Sequence, residues 1–345
     1  MEEEKVYKQL TETDKVSDVA IVTSGLFQDG ASSITTFHTS STQYTNTGDY
    51  NIDLYRYAPG TNASASVQFG VVFGHRDGSG SLGGVGVSGD RPTAAVFGQF
   101  NNTLNPPETT QFTFGDLSTK EFYAISFNRA RIRERMEAGG WELHLKNGAA
   151  GPVVKLIDDS STNKGGNSSQ VNFAPEYNIV SGTLVGGTSI DTAAASEGAT
   201  GTYGKFYPSI GVLVLNPTKL ADPDNLNLVT VSGSNSDDRN NEKLYNVIKT
   251  GAYFQAKREE QITSRHFFVR ATANEFNSTT NETYYTESVA GVKRVIDGLS
   301  SDPKTYITTV GMYNSDNELL AIAKLSQPIL KSKSREALIK VKLDF

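Results

Sequence analysis

The stretch 305-TYITTVGMYNSDNELLAIAKL-325 indicates the fold class more clearly than any other part of the chain. Residues 305–313 and 318–325 are mostly β-branched, aromatic or otherwise apolar, which is typical of strands. The residues between them, 314-NSDN-317, are types that tolerate left-handed backbone and form tight turns. The pattern predicts a β-hairpin close to the C-terminus.

The final segment, 337-ALIKVKLDF-345, predicts one more strand. From Leu338 onward, lysines alternate with Ile339, Val341 and Leu343, so that one face is apolar. Pro328 is expected to end the pairing of the hairpin before this strand begins, because proline lacks the N–H of a sheet ladder. Val341, Leu343 and Phe345 are expected to be buried anchors, either in the chain's own sheet, which we favour, or against a neighbouring subunit.

Five further runs upstream have the same strand character, and together they set the fold class. They are residues 67–73, 122–127, 141–145, 210–215 and 266–271. The continuously apolar 212–215 predicts a strand covered on both faces, whereas Glu142 and His144 predict a strand with one solvated face. We expect a mainly β, β-rich α+β fold with a few helices, antiparallel or mixed sheets, long polar loops and the C-terminal strand hairpin.

Three segments have helical patterns. Residues 128–138 carry four arginines and end at Gly139-Gly140, which predicts a short exposed helix with a glycine stop. Residues 238–260 place Leu244, Ile248 and Phe254 on one face, expected to join the core, with Asp237-Asp238 as cap candidates. A third helix is predicted from Pro92, a residue favoured at the first helical position.

The chain is expected to divide into an N-terminal arm (1–15), a strand-rich body (16–235) and a helix plus C-terminal β portion (236–345), with one continuous domain as the alternative. Gly-, Ser- and Asn-rich stretches at 78–89, 158–172, 186–202 and 222–240 predict long polar loops.

Composition excludes several classes of chemistry. The chain has no cysteine among 345 residues, which excludes disulfides, thiolate metal sites and thiol catalysis. A net charge of −6 gives no general attraction to nucleic acid or to anionic membranes. There is no apolar run of about 18 residues and no cationic, apolar leader, so we expect a chain that folds in a cytoplasm.

The motifs that carry chemistry are weak. The glycines of 78-GSGSLG-83 match a dinucleotide fingerprint in spacing, but no helix opens directly after them, and we interpret them as a loop. His75-Arg76-Asp77 is interpreted as a polar strand end rather than an acid–base site. The four histidines have no ligand spacing for a metal. No catalytic residue, cofactor or metal is predicted.

Several blocks resemble virion structural proteins of contractile-tailed phages, the T4-like myoviruses of cyanobacteria and other aquatic bacteria. The similar blocks are the hairpin quoted above, 67-VQFGVVFGHRDGSGSLG-83, 203-YGKFYPSIGVLVLNPTKL-220 and 266-HFFVRATANEFN-277. The resemblance implies a non-enzymatic baseplate wedge or fibre-connecting subunit, assembled in the host cytoplasm and located in the virion. It also implies a symmetric oligomer that packs with copies of itself and with unlike tail proteins, without nucleic acid or membrane.

In that setting the polar loops become candidate contact surfaces, with Gly80, Gly83, Gly186 and Gly187 as interface or packing candidates. Two alternatives stay open. A neck, collar or head-decorating virion protein differs from the first interpretation only in its location. A carbohydrate-binding or carbohydrate-cleaving tail protein would instead stack sugars on exposed tyrosines near paired carboxylates.

Overall fold

A computed structural model describes residues 7–40, 50–81, 91–168, 175–184, 189–190, 201–231, 239–287 and 291–344. Strands predominate, which confirms the predicted β-rich α+β class. The chain forms two compact units: a core unit, Ile21–Glu260, and a terminal unit, Met1–Ala20 with Gln261–Phe345. The boundary at residue 260 differs from the predicted one at 235, because helix and strand residues after 238 pack into the core unit.

The described part of the chain contains the following strands and helices. The strands are β1 (Lys15–Gly25), β2 (Ser33–Ile34), β3 (Asn51–Tyr55), β4 (Val67–His75), β5 (Phe112–Phe114), β6 (Leu117–Thr119), β7 (Glu121–Phe127), β8 (Arg135–Met136), β9 (Glu142–Lys146), β10 (Val153–Asp158), β11 (Asn167–Ser168), β12 (Pro175–Thr183), β13 (Ser189–Ile190), β14 (Gly204–Tyr207), β15 (Val212–Leu215), β16 (Phe254–Gln255), β17 (Lys257–Ala271), β18 (Tyr285–Glu287), β19 (Lys293–Val295), β20 (Lys304–Tyr313), β21 (Leu319–Ser332) and β22 (Ala337–Asp344). The helices are α1 (Pro92–Leu104), α2 (Arg129–Ile132), α3 (Pro217–Leu220), α4 (Arg239–Gly251) and α5 (Asp297–Ser301).

One large sheet organises the core unit. Its strands follow the order β2-β16-β9-β10-β12-β14-β15-β7-β4-β3, and β11 and β13 pair with β12 beside this path. Neighbouring strands are antiparallel, so the sheet is antiparallel rather than mixed.

The central strands of this sheet are covered on both faces, as predicted for 212–215. In β15, Leu213 and Leu215 belong to the cluster that contains Leu244 and Ile248 of α4, whereas Val212 and Val214 belong to a second cluster with Phe97 of α1. Because successive side chains of a strand point to opposite faces, a continuously apolar strand can supply two cores.

The sheet curves strongly, so that strands from opposite ends come together. The ring of Phe254 in β16 lies 5.3 Å from Phe69 in β4 and 5.5 Å from Phe127 in β7, between ring centroids. A single antiparallel bridge joins His38 to Tyr55, the last residue of β3. A group of buried phenylalanines therefore fills the concave side of the core unit.

The predicted helix over 128–138 is wrong in most of its length. Asn128 caps a single turn, α2, by accepting a hydrogen bond from the Ala130 N–H, and Arg133 then takes a left-handed φ of 58°. Met136 is fully buried in β8, which pairs with β17 at Arg258. Pairing with a strand more than 100 residues away overrides the local helical pattern.

Helix α4 is also shorter than predicted. Leu244 and Ile248 are buried on it as expected, but the helix ends at Gly251, and Phe254 reaches the core from β16. A Cβ at Gly251 would lie 2.0 Å from the carbonyl oxygen of His144, so only glycine fits at this point. The helix predicted from Pro92 is confirmed as α1, and the cap candidates Asp237 and Asp238 lie outside the described residues.

The solvated face predicted for β9 is also wrong. Glu142 is completely buried, and its carboxylate accepts hydrogen bonds from the backbone N–H of Leu184 at 2.6 Å and from the Thr183 hydroxyl. His144 Nε2 lies 2.5 Å from Glu142 Oε1. A buried carboxylate is tolerated because these partners replace the water that it loses.

The terminal unit is built from long strands that form small, separate sheets. β22 pairs along its whole length with β17, from Ser264 opposite Asp344 to Ala271 opposite Ala337, so the C-terminal strand packs in the chain's own sheet, as we favoured. β1 lies on the other side of β17 in the same sheet. β20 and β21 form the predicted hairpin as a separate two-stranded sheet, and β18 and β19 form another.

Pro328 does not end the pairing of the hairpin, contrary to the prediction. β21 continues through it to Ser332, where Ser332 is opposite Lys304. The register shifts between Ile307 and Thr309, whose partners are Ile329 and Lys324, so Pro328 falls within a bulge. A bulge leaves residues without a ladder partner, and proline is therefore accepted there.

Candidate assembly surface

Two of the predicted C-terminal anchors, Val341 and Leu343, lie in β22. Val341 is buried at 5% exposure and Leu343 is half-buried, both on the face of β22 that also carries buried Ile339. Phe345 lies outside the described residues. Val341 and Ile339 are therefore packed within the chain itself.

The glycine loops give less support to the predicted contacts. Gly80 is buried, and a Cβ built on it would lie 3.0 Å from Asn240 Nδ2 and 3.1 Å from the ring of Phe73. Its φ of +81° also favours glycine. Gly80 is thus a packing position inside the core unit, and an interface role for it stays a prediction. Gly83, Gly186 and Gly187 lie outside the described residues.

The polar motifs form no site among the residues that the structure describes. His75 ends β4, and its Nδ1 accepts hydrogen bonds from the N–H groups of Asp77 and Ser79, which fits the predicted polar strand end. Burial lowers the pKa of His75, which favours this neutral, accepting form. The described residues hold no cluster of His, Asp and Glu suited to a metal ion.

Large exposed apolar side chains are concentrated in the terminal unit and in β1. Among the described residues with such side chains, only Val153 and Val229 lie elsewhere. The others are Tyr7, Val16, Val19, Ile21, Val22, Ile262, Val292, Tyr306, Tyr313, Leu319, Leu320, Ile322 and Leu338. Contiguous exposed apolar patches of more than a few hundred Å² usually mark surfaces that meet another protein.

The hairpin is the densest part of this surface. Tyr313, Leu320 and Ile322 are exposed at 59%, 66% and 62%, and β20 pairs with no strand other than β21 in the described chain. An isolated two-stranded hairpin is only marginally stable in water. Its conformation therefore needs an anchor at its base.

That anchor is Lys331, a completely buried lysine at the base of β21. Its Nζ donates hydrogen bonds to the carbonyl oxygen of Ala273 at 3.0 Å, to Asn277 Oδ1 at 2.9 Å and to the carbonyl oxygen of Ser332 at 3.0 Å. Burial lowers the pKa of Lys331. Three oxygen acceptors satisfy its three donor positions, which ties the hairpin to the segment after β17.

The same segment is held from a second direction by Glu275. Its Oε2 lies 2.8 Å from Lys8 Nζ and accepts the N–H of Thr272 at 3.0 Å. The hydrogen bond from Lys8, followed by that from Thr272, lowers the pKa of Glu275 to about 2. Residues 7–20 are thereby linked to the chain near the base of the hairpin.

β1 adds a second exposed apolar strand. Apart from its last two residues, Ser24 and Gly25, every residue of β1 is exposed, including Val16, Val19 and Ile21. It is an outer strand of the β1-β17-β22 path, so one row of its backbone groups has no strand partner on that path. Exposed apolar edge strands are templates for further pairing. We call the hairpin and the part of β1 that lies in the terminal unit, residues 15–20, the candidate assembly surface.

An open cavity of about 720 Å³ lies in the core unit, between residues 35–40 and one face of α4. Tyr245, Asn246 and Lys249 complete its described lining, which includes hydroxyl, amide and imidazole groups but no carboxylate. Glycoside cleavage needs two carboxyl groups on opposite sides of the bond, so this lining does not supply that chemistry.

Comparison of the chain with family models, with curated proteins and with solved structures found no match. In the described parts of the chain, no helix has the length and apolar character to cross a membrane. The interpretation of the surface rests on its own geometry.

The sequence located the hairpin but missed its two-sided exposure. In 319-LLAIAKL-325, apolar residues occupy consecutive positions, so both faces of the strand are apolar. A run of this kind is usually a central strand covered twice, like 212–215, and here no second layer of the described chain covers it. A strand covered on both faces and an uncovered strand have the same local pattern. They are told apart only by whether another part of the fold packs on the strand.

Proposed function

We propose that the protein is a non-enzymatic structural subunit of a contractile phage tail, located in the baseplate as a wedge or fibre-connecting component. One observation supports this role: the exposed apolar strands of the terminal unit and β1 need a covering partner, whereas the core unit supplies its own core. The subunit acts by packing these strands against copies of itself and against unlike tail proteins. The resemblance of several sequence blocks to virion proteins of T4-like myoviruses supports a location in the virus particle.

The assembly acts without catalysis in this proposal. A structural subunit contributes rigid shape from the core unit and adhesion from the terminal unit. Neighbouring subunits then remove apolar area from water at about 25 cal/mol per Å², offset by the entropy of ordering the strands.

The proposal is tested on purified particles of the virus that encodes the chain. We expect mass spectrometry to detect the protein in the particles, and cryo-electron microscopy to place its density at the baseplate. Density at the neck or in the capsid lattice would replace the baseplate with the neck, collar or head-decorating role. Presence in infected cells with none in particles would exclude a structural role.

The carbohydrate alternative has its own observation, the exposed Tyr306 and Tyr313 on the hairpin. Tyrosine faces can stack on sugar rings, so this alternative predicts binding to host surface polysaccharide that is lost in the double variant Tyr306→Ala/Tyr313→Ala. The structural proposal predicts no such binding by the isolated chain. A pull-down with purified host polysaccharide separates the two.

A further inference from the structure

The turn that follows β4 is held closed by His75. The ring Nδ1 accepts hydrogen bonds from the backbone N–H of Asp77 at 3.1 Å and from that of Ser79 at 3.3 Å. The N–H of Gly78, between them, donates to the carbonyl oxygen of His75 at 3.0 Å. One residue therefore accepts three consecutive N–H groups of the turn, two of them on its ring.

The carbonyl groups of the same turn are held by the start of α1. Thr93 Oγ1 donates to the carbonyl oxygen of Ser79 at 3.0 Å, and Arg91 Nη1 donates to that of Asp77 at 3.4 Å. Gly78 lies directly against Arg91, where a Cβ would be 2.7 Å from Arg91 Cδ. On this side the turn is held by a hydroxyl and a guanidinium, which do not change protonation near neutral pH.

Only the neutral imidazole can hold the turn in this way. A neutral histidine has one ring nitrogen that donates and one that accepts, whereas both nitrogens donate once the ring is protonated. Protonation of Nδ1 would direct a further N–H at the two N–H groups that it now accepts. Burial lowers the pKa of His75 below its ordinary value of 6.5 and outweighs the Asp77 carboxylate, which raises it.

We propose that His75 is a pH-sensitive switch that closes the turn 76–79 on α1 in its neutral form and releases the turn in its protonated form. Release reaches the core, because the turn leads to Gly80, which packs on the ring of buried Phe73. Acid therefore loosens the cover of the core unit at the end of β4. The inference concerns the isolated chain and does not depend on the proposed function.

The charged groups around His75 come from three elements. They are Arg76 and Asp77 in the turn, Lys120 and Glu121 at the start of β7, and Arg91 before α1. Asp77 stays ionised near neutral pH, because hydrogen bonds from Arg76 and from Lys120 lower its pKa. Glu121 is directly opposite His75, and burial raises its pKa, so its titration has to be separated from that of His75 by experiment.

Opening of the turn is coupled to the uptake of a proton. The open turn leaves the ring in water with an ordinary pKa, whereas the closed turn lowers that pKa. Closure is therefore complete above about pH 6.5 and is lost as the pH falls through the pKa of the closed form. The opening equilibrium should rise by up to about tenfold for each pH unit between the two pKa values.

NMR of the ring nitrogens in the full chain, labelled with ¹⁵N-histidine, tests the closed form directly. At about pH 7.5, above the ordinary histidine pKa, we expect an unprotonated Nδ1 and a protonated Nε2 for His75. Lowering the pH to about 5 should protonate Nδ1. Amide hydrogen exchange at Asp77 and Ser79, corrected for the intrinsic pH dependence of exchange, should lose protection over the same pH range.

His75→Asn is the decisive variant, because the asparagine Oδ1 can take the place of the histidine Nδ1 as an acceptor and does not titrate. Protection of the Asp77 and Ser79 amides should then be independent of pH in this range. His75→Phe lacks the acceptor and should lose this protection at every pH. His38→Asn changes another histidine of the core unit and is the control, with the pH profile of the unmodified chain.

Three results would overturn the inference. They are a protonated Nδ1 at about pH 7.5, protection that does not change with pH in the unmodified chain, and an unchanged pH dependence in His75→Asn, which would assign the effect to Glu121. Slow exchange in residues 123–127 of β7 shows that each variant is folded. Because the ring NMR uses the unmodified chain, it decides the inference even where a variant does not fold.

Discussion

The core unit and the terminal unit use the same kind of element, the antiparallel strand, in opposite ways. In the core unit, strands such as β7 and β15 are buried on both faces between two apolar clusters. In the terminal unit, the described buried apolar residues are few: Ala271, Tyr284, Pro303, Ala337, Ile339 and Val341. A strand pair that no second layer covers has little stability by itself. The core unit therefore buries its own strands, whereas the terminal unit leaves most of its strand surface exposed.

The largest expected effect is a loss of stability in the core unit. Phe254→Ala removes a ring that packs against Phe27, Phe69 and Phe127, and we expect a loss of about 3–5 kcal/mol in the free energy of unfolding from lost burial and the cavity left behind. Urea denaturation measures it. Leu338→Ala, at an exposed position of β22, is the matched change in the terminal unit and should cost little. Equal losses at both positions would contradict the contrast between the units.

The next effect is a loss of stability confined to the hairpin and its attachment. Lys331→Met leaves the oxygens of Ala273, Asn277 and Ser332 without their donor, and we expect a loss of about 1–3 kcal/mol confined to the terminal unit. Hydrogen exchange should accelerate in residues 304–332 and stay unchanged in 121–127. Lys324→Met, at an exposed position of the same strand, is the control. Faster exchange throughout the chain would argue against a local anchor.

A smaller effect tests the packing role of Gly80. Gly80→Ala introduces a Cβ at a φ of +81° and close to Phe73, so we expect a loss of roughly 1–2 kcal/mol from backbone strain alone. Gly60→Ala, with open space around the added Cβ, is the control. A stable Gly80→Ala chain that fails to assemble would support the interface role of this loop.

The smallest effect is a pH dependence. The pKa of Glu275 is lowered from 4.5 to about 2 in the folded chain, so its contribution to stability is complete above about pH 4.5 and is lost as the pH falls toward 2. The contribution of Asp158 in the core unit changes with pH in the opposite direction. Burial raises the pKa of Asp158, so protonation relieves the cost of burying its charge. Glu275→Gln should flatten the acid-induced loss of protection against hydrogen exchange around residues 272–277, once the rates are corrected for the intrinsic pH dependence of exchange. An unchanged pH profile would contradict the assigned role of the Lys8–Glu275 pair.

Local patterns predicted the strands and the hairpin well, and the errors arise where distant residues decide. The sequence around Met136 has a helical pattern, yet pairing with Arg258 makes it a strand. Glu142 looks solvent-facing, yet the N–H of Leu184, 42 positions away, satisfies it inside the core unit. Such partners are set by topology, which a local pattern does not contain.

The assembly surface was predictable only in part for the same reason. The apolar run 319–325 appears in the sequence, but whether another layer of the chain covers it depends on the whole fold. The predicted contacts were placed in glycine loops because loops usually carry binding residues. The structure places exposed apolar area on strands instead, from Val16 in β1 to Ile322 in β21.

The most direct test of this account is the structure of the assembled particle by cryo-electron microscopy at side-chain resolution. We expect Tyr313, Leu320 and Ile322 to be buried against neighbouring subunits, with β1 covered as well and the central strands of the core unit as they are in the single chain. A particle in which this hairpin stays in solvent, while the core unit makes the contacts between subunits, would contradict the account.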